Sequence, residues 1–200
     1  FDEITSGFRE NLGGIHMKYD IEPDMVILGK ALGNGYPISA IVGKEEIMNA
    51  AENTFISSTF FTERIGFVAA LETIKLMKEI DCQKSLMKYG AKVKKGWKDI
   101  ADSVNLKVHI TGIDPLAIFS FKDKSKNGIM QTIFTQEMLK RNYLASSSFY
   151  STCAFTDKKI DNYLSNALEV FKLISTAYYS DKLSSLLETT ERHSGFERLN

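Results

Sequence analysis

Hydrophobic and polar positions change rhythm twice along this chain. Met25-Val26-Ile27-Leu28 is a solid apolar run closed by Gly29, which predicts a short buried strand. The acidic stretch from Asp20 to Asp24, with Pro23 inside it, supplies the turn ahead of that strand. Gly33-Asn34-Gly35 marks a tight turn, Pro37 to Val42 a second strand closed by Gly43, and residues 44–52 a short helix. A polar-aromatic stretch, 54–61, follows as loop or strand. The spacing then becomes helical: Ile65, Val68, Ala69, Ile74 and Met77 predict one helix starting near Thr62, and Leu86, Gly90, Val93, Trp97, Ile100 and Val104 predict the next. Past residue 105 the rhythm changes again. Strands are predicted at 106–111 and 116–121, a helix at 129–141, and a short strand at 143–145. Thr156 is placed to cap a final helix, with Asp157 suited to its positive end. That helix carries Ile160, Tyr163, Leu164, Ala167, Leu168, Phe171 and Ile174 on one face. The last twenty residues are polar and predict a loose tail.

These elements divide into an α/β stretch over the first hundred residues or so and a smaller α+β unit after it, linked by the helix around Trp97. With 44% hydrophobic and 25% charged residues, a packed core is expected rather than disorder. Lys+Arg and Asp+Glu are both 25, so the balanced charge argues against a nucleic-acid or membrane-surface field. No apolar run has the length of a membrane span. The two cysteines, Cys82 and Cys153, have no metal-ligand spacing and no activating neighbours, and the three histidines are scattered. The expectation is two inert thiols, no metal site and a reducing, cytoplasmic setting. The chain opens on Phe1-Asp2-Glu3 with neither Met nor a lead-in strand, which reads as a fragment lacking an upstream half.

Candidate chemistry concentrates in the first sixty residues. Lys30 follows an apolar strand and precedes a glycine turn, and ligand sites in α/β folds lie beyond strand carboxyl ends. A desolvated lysine there can lose its proton and attack a carbonyl. Position alone favours the plainer reading, a surface lysine in a turn. A phosphate-binding loop is excluded, because Asp24 stands where its first glycine is required and Ala31 follows the lysine. A dinucleotide fingerprint fails at Ile38, where its third glycine is needed.

Three segments together carry a more specific signal. Phe1-Asp2-Glu3-Ile4-Thr5-Ser6-Gly7-Phe8-Arg9 resembles the DEV-x-x-G-x-R element of class III aminotransferases. Pro23-Asp24, through Leu28-Gly29-Lys30-Ala31-Leu32-Gly33-Asn34-Gly35-Tyr36-Pro37-Ile38, resembles that family's pyridoxal-phosphate (PLP) lysine signature. Ser58-Thr59-Phe60 resembles its phosphate element, and order and spacing agree across all three. At the other end, His193-Ser194-Gly195-Phe196 resembles the glutamate-1-semialdehyde aminomutase branch.

The resemblance implies PLP fold type I: residues 1–104 as the C-terminal part of the large α/β domain with its linking helix, 105–180 as the small C-terminal α+β domain, and 181–200 as a polar tail. It implies PLP as cofactor, with Lys30 forming the Schiff base and then serving as general acid and base. Asp2 would pair with the pyridinium nitrogen and keep it protonated, making the ring a better electron sink. Glu3, its neighbour on a strand, would face away and be structural. Thr59, supplied in this family by the neighbouring subunit, would hold the cofactor phosphate with Ser58 as a weaker candidate, and this implies a homodimer. The reaction would pass an amino group from a small-molecule donor to an aldehyde or keto acceptor, or exchange it within one molecule as in the aminomutase. The chain also departs from the pattern. Thr5 stands where members often carry Gln near the cofactor's phenolic oxygen, so it is a shorter candidate contact. Phe61-Thr62-Glu63-Arg64-Ile65-Gly66 replaces the usual Gly-Asn-Pro after the threonine, again toward the aminomutase-like branch. The family's upstream half, with its phosphate loop and ring-stacking aromatic, is absent from these residues, so turnover by this chain alone is not expected.

Overall fold

The structure is a computed structural model that describes residues 1–193. The end of the predicted tail, and most of the His193–Phe196 motif, lie outside the described residues. The chain divides into two compact units, Phe1–Met87 and Lys88–Asn200.

The first unit is built on a two-stranded antiparallel sheet. Strand β1 (Met25–Leu28) pairs with β2 (Ala40–Gly43), with Val26 opposite Val42 and Leu28 opposite Ala40. The N-terminal segment adds a parallel bridge at Asp2 and Ile27: the Glu3 amide donates to the Ile27 carbonyl and the Ile27 amide to that of Phe1, both at 2.9 Å. A short helix α1 (Glu45–Asn49) runs into a 3-10 turn at Ala50–Asn53, and α2 (Ile65–Glu79) follows the polar-aromatic loop. The buried residues here are Phe8, Val26, Leu28, Leu32 and Ala70, with Leu12, Ile38, Ile74 and Met77 packed partly against them.

Helix α3 (Cys82–Ser103) crosses from the first unit into the second. The second unit continues with β3 (Val108–Thr111), β4 (Leu116–Phe121), α4 (Asn127–Lys140), β5 (Ser148–Tyr150) and α5 (Asp157–Tyr179). The three strands form an antiparallel sheet in the order β3-β4-β5, with Ile110 opposite Phe119 and Ala117 opposite Phe149. The inward face of β4 presents Ala117, Phe119 and Phe121, alternating with residues that stay accessible. Phe119 sits edge-on to Trp97 at 4.8 Å and to Phe134 at 5.1 Å, and Phe171 of α5 closes the cluster at 5.6 Å. Trp97 is fully buried, and its indole N–H donates to the Tyr163 hydroxyl at 2.9 Å, so its one polar atom is satisfied. Burial pushes the Tyr163 phenol well above its usual range. Gly90 is required where α3 passes the Asp114 carbonyl, since a Cβ there would lie 1.7 Å from that oxygen. Thr156 caps α5, its hydroxyl accepting from the Lys159 amide at 3.3 Å.

Four expectations change. Tyr143–Ala145 is not a strand; the strand after α4 is Ser148–Tyr150, where backbone hydrogen bonds to β4 are available. The apolar stripe predicted for α2 holds only in its second half: Ile74 and Met77 pack against the core, whereas Ile65 and Val68 are exposed and Gly66 and Ala70 are the buried residues of the first half. The first two turns, Ile65 to Leu71, are apolar nearly all round, so periodicity could not select the face there. The expectation of two inert thiols also gives way, because neither Cys82 nor Cys153 is a free cysteine. Cysteine usage therefore gives no support for a reducing compartment. The segment expected as a loose tail begins ordered: a 3-10 turn at Leu183–Leu186 buries Leu183, and the Arg192 amide donates to the Thr132 hydroxyl at 3.0 Å. Among the described residues, no helix is long and apolar enough to cross a membrane.

Candidate active site

The first and second motifs meet at the end of β1. Burial runs through Leu28 and Gly29, the latter in extended backbone, and the exposed Lys30 opens a 3-10 turn whose Leu32 is buried as an anchor. Lys30 itself takes φ 43°, a left-handed conformation uncommon for a residue with a Cβ. The turn beyond it keeps the chain off the lysine: Asn34 and Gly35 have φ of 47° and 106°, and a Cβ on Gly33 would lie 2.2 Å from the Tyr36 carbonyl oxygen. The Lys30 ammonium is left exposed and donates to the Thr5 hydroxyl at 2.6 Å. Thr5 is in turn held by Arg9, whose Nε donates to its carbonyl at 3.4 Å.

Asp2 and Glu3 face opposite ways, as strand alternation requires. Asp2 is exposed; one of its carboxylate oxygens accepts from the Ile4 amide at 3.0 Å, and the other has no hydrogen bond among the described residues. Glu3 is buried, with 2% of its surface accessible. Its carboxylate accepts from the backbone amides of Ile15 and His16, and the His16 ring Nδ1 lies 2.7 Å away. Burial alone raises the Glu3 carboxyl, but the hydrogen bonds from the His16 side chain and from the two amides outweigh it and hold the group below its ordinary value. Glu3 thus pins residues 1–5 against the 14–16 turn while Asp2 stays outward.

Ser58 and Thr59 lie on the exposed loop before α2. The Ser58 hydroxyl accepts from the Phe60 amide at 3.2 Å, and Thr59 makes no hydrogen bond among the described residues. Nothing described joins either to Lys30, Thr5 or Asp2. So Lys30 and Thr5 are brought together, Asp2 bridges the strand leading to the lysine, and the third motif is apart by hydrogen bonding. Two residues of this region were not foreseen in their roles. His16 partners Glu3, with no sequence signal twelve or thirteen residues away. Glu63 caps α2, its carboxylate accepting from Ile65 at 2.7 Å and Gly66 at 3.1 Å, and these backbone bonds hold it below its ordinary value. An acid two residues ahead of a helix was the available signal. Arg64 stands at the start of α2, and Arg141 is bound to Glu137, with Nη1 2.8 Å from its carbonyl and 3.1 Å from its carboxylate.

With this geometry in hand, the comparisons with known proteins are specific. The family described as Aminotransferase class-III matches residues 1–166. A 3-aminobutyryl-CoA aminotransferase from Cloacimonas acidaminovorans is 38% identical over 68% of this chain and 33% of its own length. A glutamate-1-semialdehyde 2,1-aminomutase from a Sulfurihydrogenibium species is 28% identical over 88% of this chain and 45% of its own. Among solved structures, the FumI protein of Sphingopyxis sp. MTA144 in its PLP internal aldimine form superposes with a TM-score of 0.83 at 23% identity, covering 93% of this chain and 45% of that one. An omega-transaminase from Sphaerobacter thermophilus gives 0.78 at 16% identity, over 88% and 44%. The chain thus spans a third to just under half the length of the relatives it matches. The structural likeness shows the α/β fold of PLP fold type I, and the match over residues 1–166 shows that the chain belongs to the class-III aminotransferase family.

Proposed function

We propose that this chain is the lysine-bearing C-terminal part of a PLP-dependent enzyme that transfers amino groups, with Lys30 as its catalytic residue. The observation that carries the reading is the 2.6 Å hydrogen bond from Lys30 to Thr5, which joins the two motifs across 25 residues. The residues present fit the cofactor: an exposed amine at a strand end, an outward carboxylate with one oxygen unengaged, and a hydroxyl beside the amine. PLP, when bound, supplies the electron sink that stabilises a carbanion next to the substrate nitrogen.

The chain's own groups have separate tasks in this reading. Lys30 Nζ would hold the cofactor through its aldehyde carbon, with loss of water, and once displaced by a substrate amine would take up and return a proton as general base and acid. The Thr5 hydroxyl orients that amine and takes the place of the longer glutamine of relatives. The unengaged Asp2 oxygen would accept from the cofactor's ring nitrogen and favour its protonated form. Thr59, with Ser58 in support, contributes hydroxyls to the phosphate. Their location apart from Lys30 by hydrogen bonding fits supply to a neighbouring subunit's site, so the functional form is a homodimer. The reactants are a small amino donor and an aldehyde or keto acceptor. Intramolecular exchange is the second reading, favoured by aminomutase relatives that match 86–88% of this chain.

The test is borohydride reduction after PLP treatment, followed by peptide mapping, with the chain alone and with the upstream half of the protein supplied. A pyridoxyl group on Lys30 in the second sample, and not on a Lys30→Ala control, supports the proposal. Absence of label from Lys30 with both halves present removes it and leaves a non-catalytic folding or dimerisation module.

A further inference from the structure

The second unit contains a cleft that amino-group chemistry does not use in this reading. It has a volume of 460 Å3 and lies between the segment Tyr143–Tyr150 and the first turns of α5. That is within the range of small-molecule sites. We propose that this cleft binds small aromatic carboxylates.

Its walls are aromatic faces. Phe149 and Phe155 are stacked with centroids 5.4 Å apart, Tyr163 tilts against Phe149 at 6.1 Å, and Tyr143 meets Tyr163 at 5.9 Å. Such walls accept a flat ring by offset or edge contacts. The charge is set by Lys159, which lines the cleft and whose ammonium donates to the Ala154 carbonyl at 3.0 Å. No carboxylate pairs with Lys159 among the described residues. The acids on the same turns are engaged by α3: Asp157 by Lys88 and Lys92, and Asp161 by Lys92. Lys158 adds a further cation to that turn. Lys158 and Lys159 outnumber Asp157 in the first turn of α5, and the positive end of the helix dipole further favours a bound anion. Asn162 also lines the cleft, and its side-chain amide has no hydrogen bond among the described residues, leaving a donor for a second carboxylate oxygen. Apolar walls with a few convergent polar groups are the makeup of a ligand site rather than of core packing.

Trp97 provides the readout. It is the chain's single tryptophan, it donates to the Tyr163 hydroxyl, and its ring lies 6.4 Å from Phe149, so two walls of the cleft touch it. The 200-residue chain is titrated with phenylacetate, with 2-phenylethanol as the uncharged ring and acetate as the anion without one. Trp97 fluorescence and calorimetry follow binding. Expected is saturable phenylacetate binding at least about tenfold tighter than either control. Lys159→Met should remove that preference by about the same factor while leaving 2-phenylethanol binding unchanged, and Asn162→Ala should weaken phenylacetate alone. Absence of saturation by phenylacetate, a preference under a few-fold, or a Lys159→Met chain that binds it as well as the parent each overturns the proposal. Lys159 is exposed, so that substitution leaves the fold intact, and unchanged circular dichroism checks this.

Discussion

The two units bury their apolar residues to very different degrees. Among the described residues, the second unit gathers twenty buried residues into one cluster around Trp97, Phe119 and Phe171, whereas the first gathers five. The first unit also leaves Phe55, Phe60, Leu71 and Ile65 exposed, and Phe55 is 95% accessible. The proposed catalytic residues therefore sit on the unit with the thinner core. An apolar surface of this kind marks a region built to meet another surface. That agrees with a chain spanning less than half the length of its relatives and with sites completed at a subunit interface.

This contrast can be broken by substitution. Phe171→Ala should have the largest effect, about 3–5 kcal/mol, because it empties the centre of a closed aromatic cluster. Urea unfolding followed by Trp97 fluorescence measures it. Leu28→Ala, in the smaller core, should fall near about 2 kcal/mol, since neighbours next to open surface relax more easily. Its effect should appear in amide hydrogen exchange of 1–87 and not in the Trp97 signal; equal effects of both substitutions on that signal would show the two cores to be one cooperative body.

Glu3 sharpens the comparison through pH. Its carboxyl is lower in the folded chain than its ordinary value of 4.5. The stability it contributes is thus fully present above that value and is lost as pH falls through the lower, folded one. Glu3→Gln should reduce neutral-pH stability of the first unit by about 1–3 kcal/mol, the scale of hydrogen bonds to a charged group, and flatten its acid loss below pH about 4.5. Hydrogen exchange between about pH 3 and 7 reads this. An unchanged acid profile would exclude Glu3 as the residue responsible. Thr156→Ala should have the smallest effect, about 1 kcal/mol from loss of one helix cap, and confined to the second unit.

Much of the second unit was legible because its elements obey simple periods. The helix over Leu86 to Ile100 and the alternation in 116–121 both correspond to buried faces. The candidate site was legible in its parts: Lys30 after an apolar strand, and Asp2 and Glu3 on opposite faces. What stayed hidden depends on long-range partners. Nothing local announces that His16 and Ile15 will hold Glu3, or that Thr5 will reach Lys30. The α2 face was misassigned only in its first two turns, which are apolar on all sides and have no preferred stripe, and 143–145 was misplaced because a three-residue strand is defined by its neighbour, not by its own residues.

The left-handed backbone at Lys30 bears on how this chain can change over time. A residue with a side chain at φ 43° costs about 1–2 kcal/mol relative to glycine. Lys30→Gly should therefore yield a more stable chain than Lys30→Ala by about that amount, although both lack the amine. If Lys30 is the catalytic residue proposed above, drift toward stability at this one position runs downhill into an inert protein. On the proposed role of Lys30, only selection on its amine opposes that slope, and laboratory lineages released from such selection should lose the lysine early.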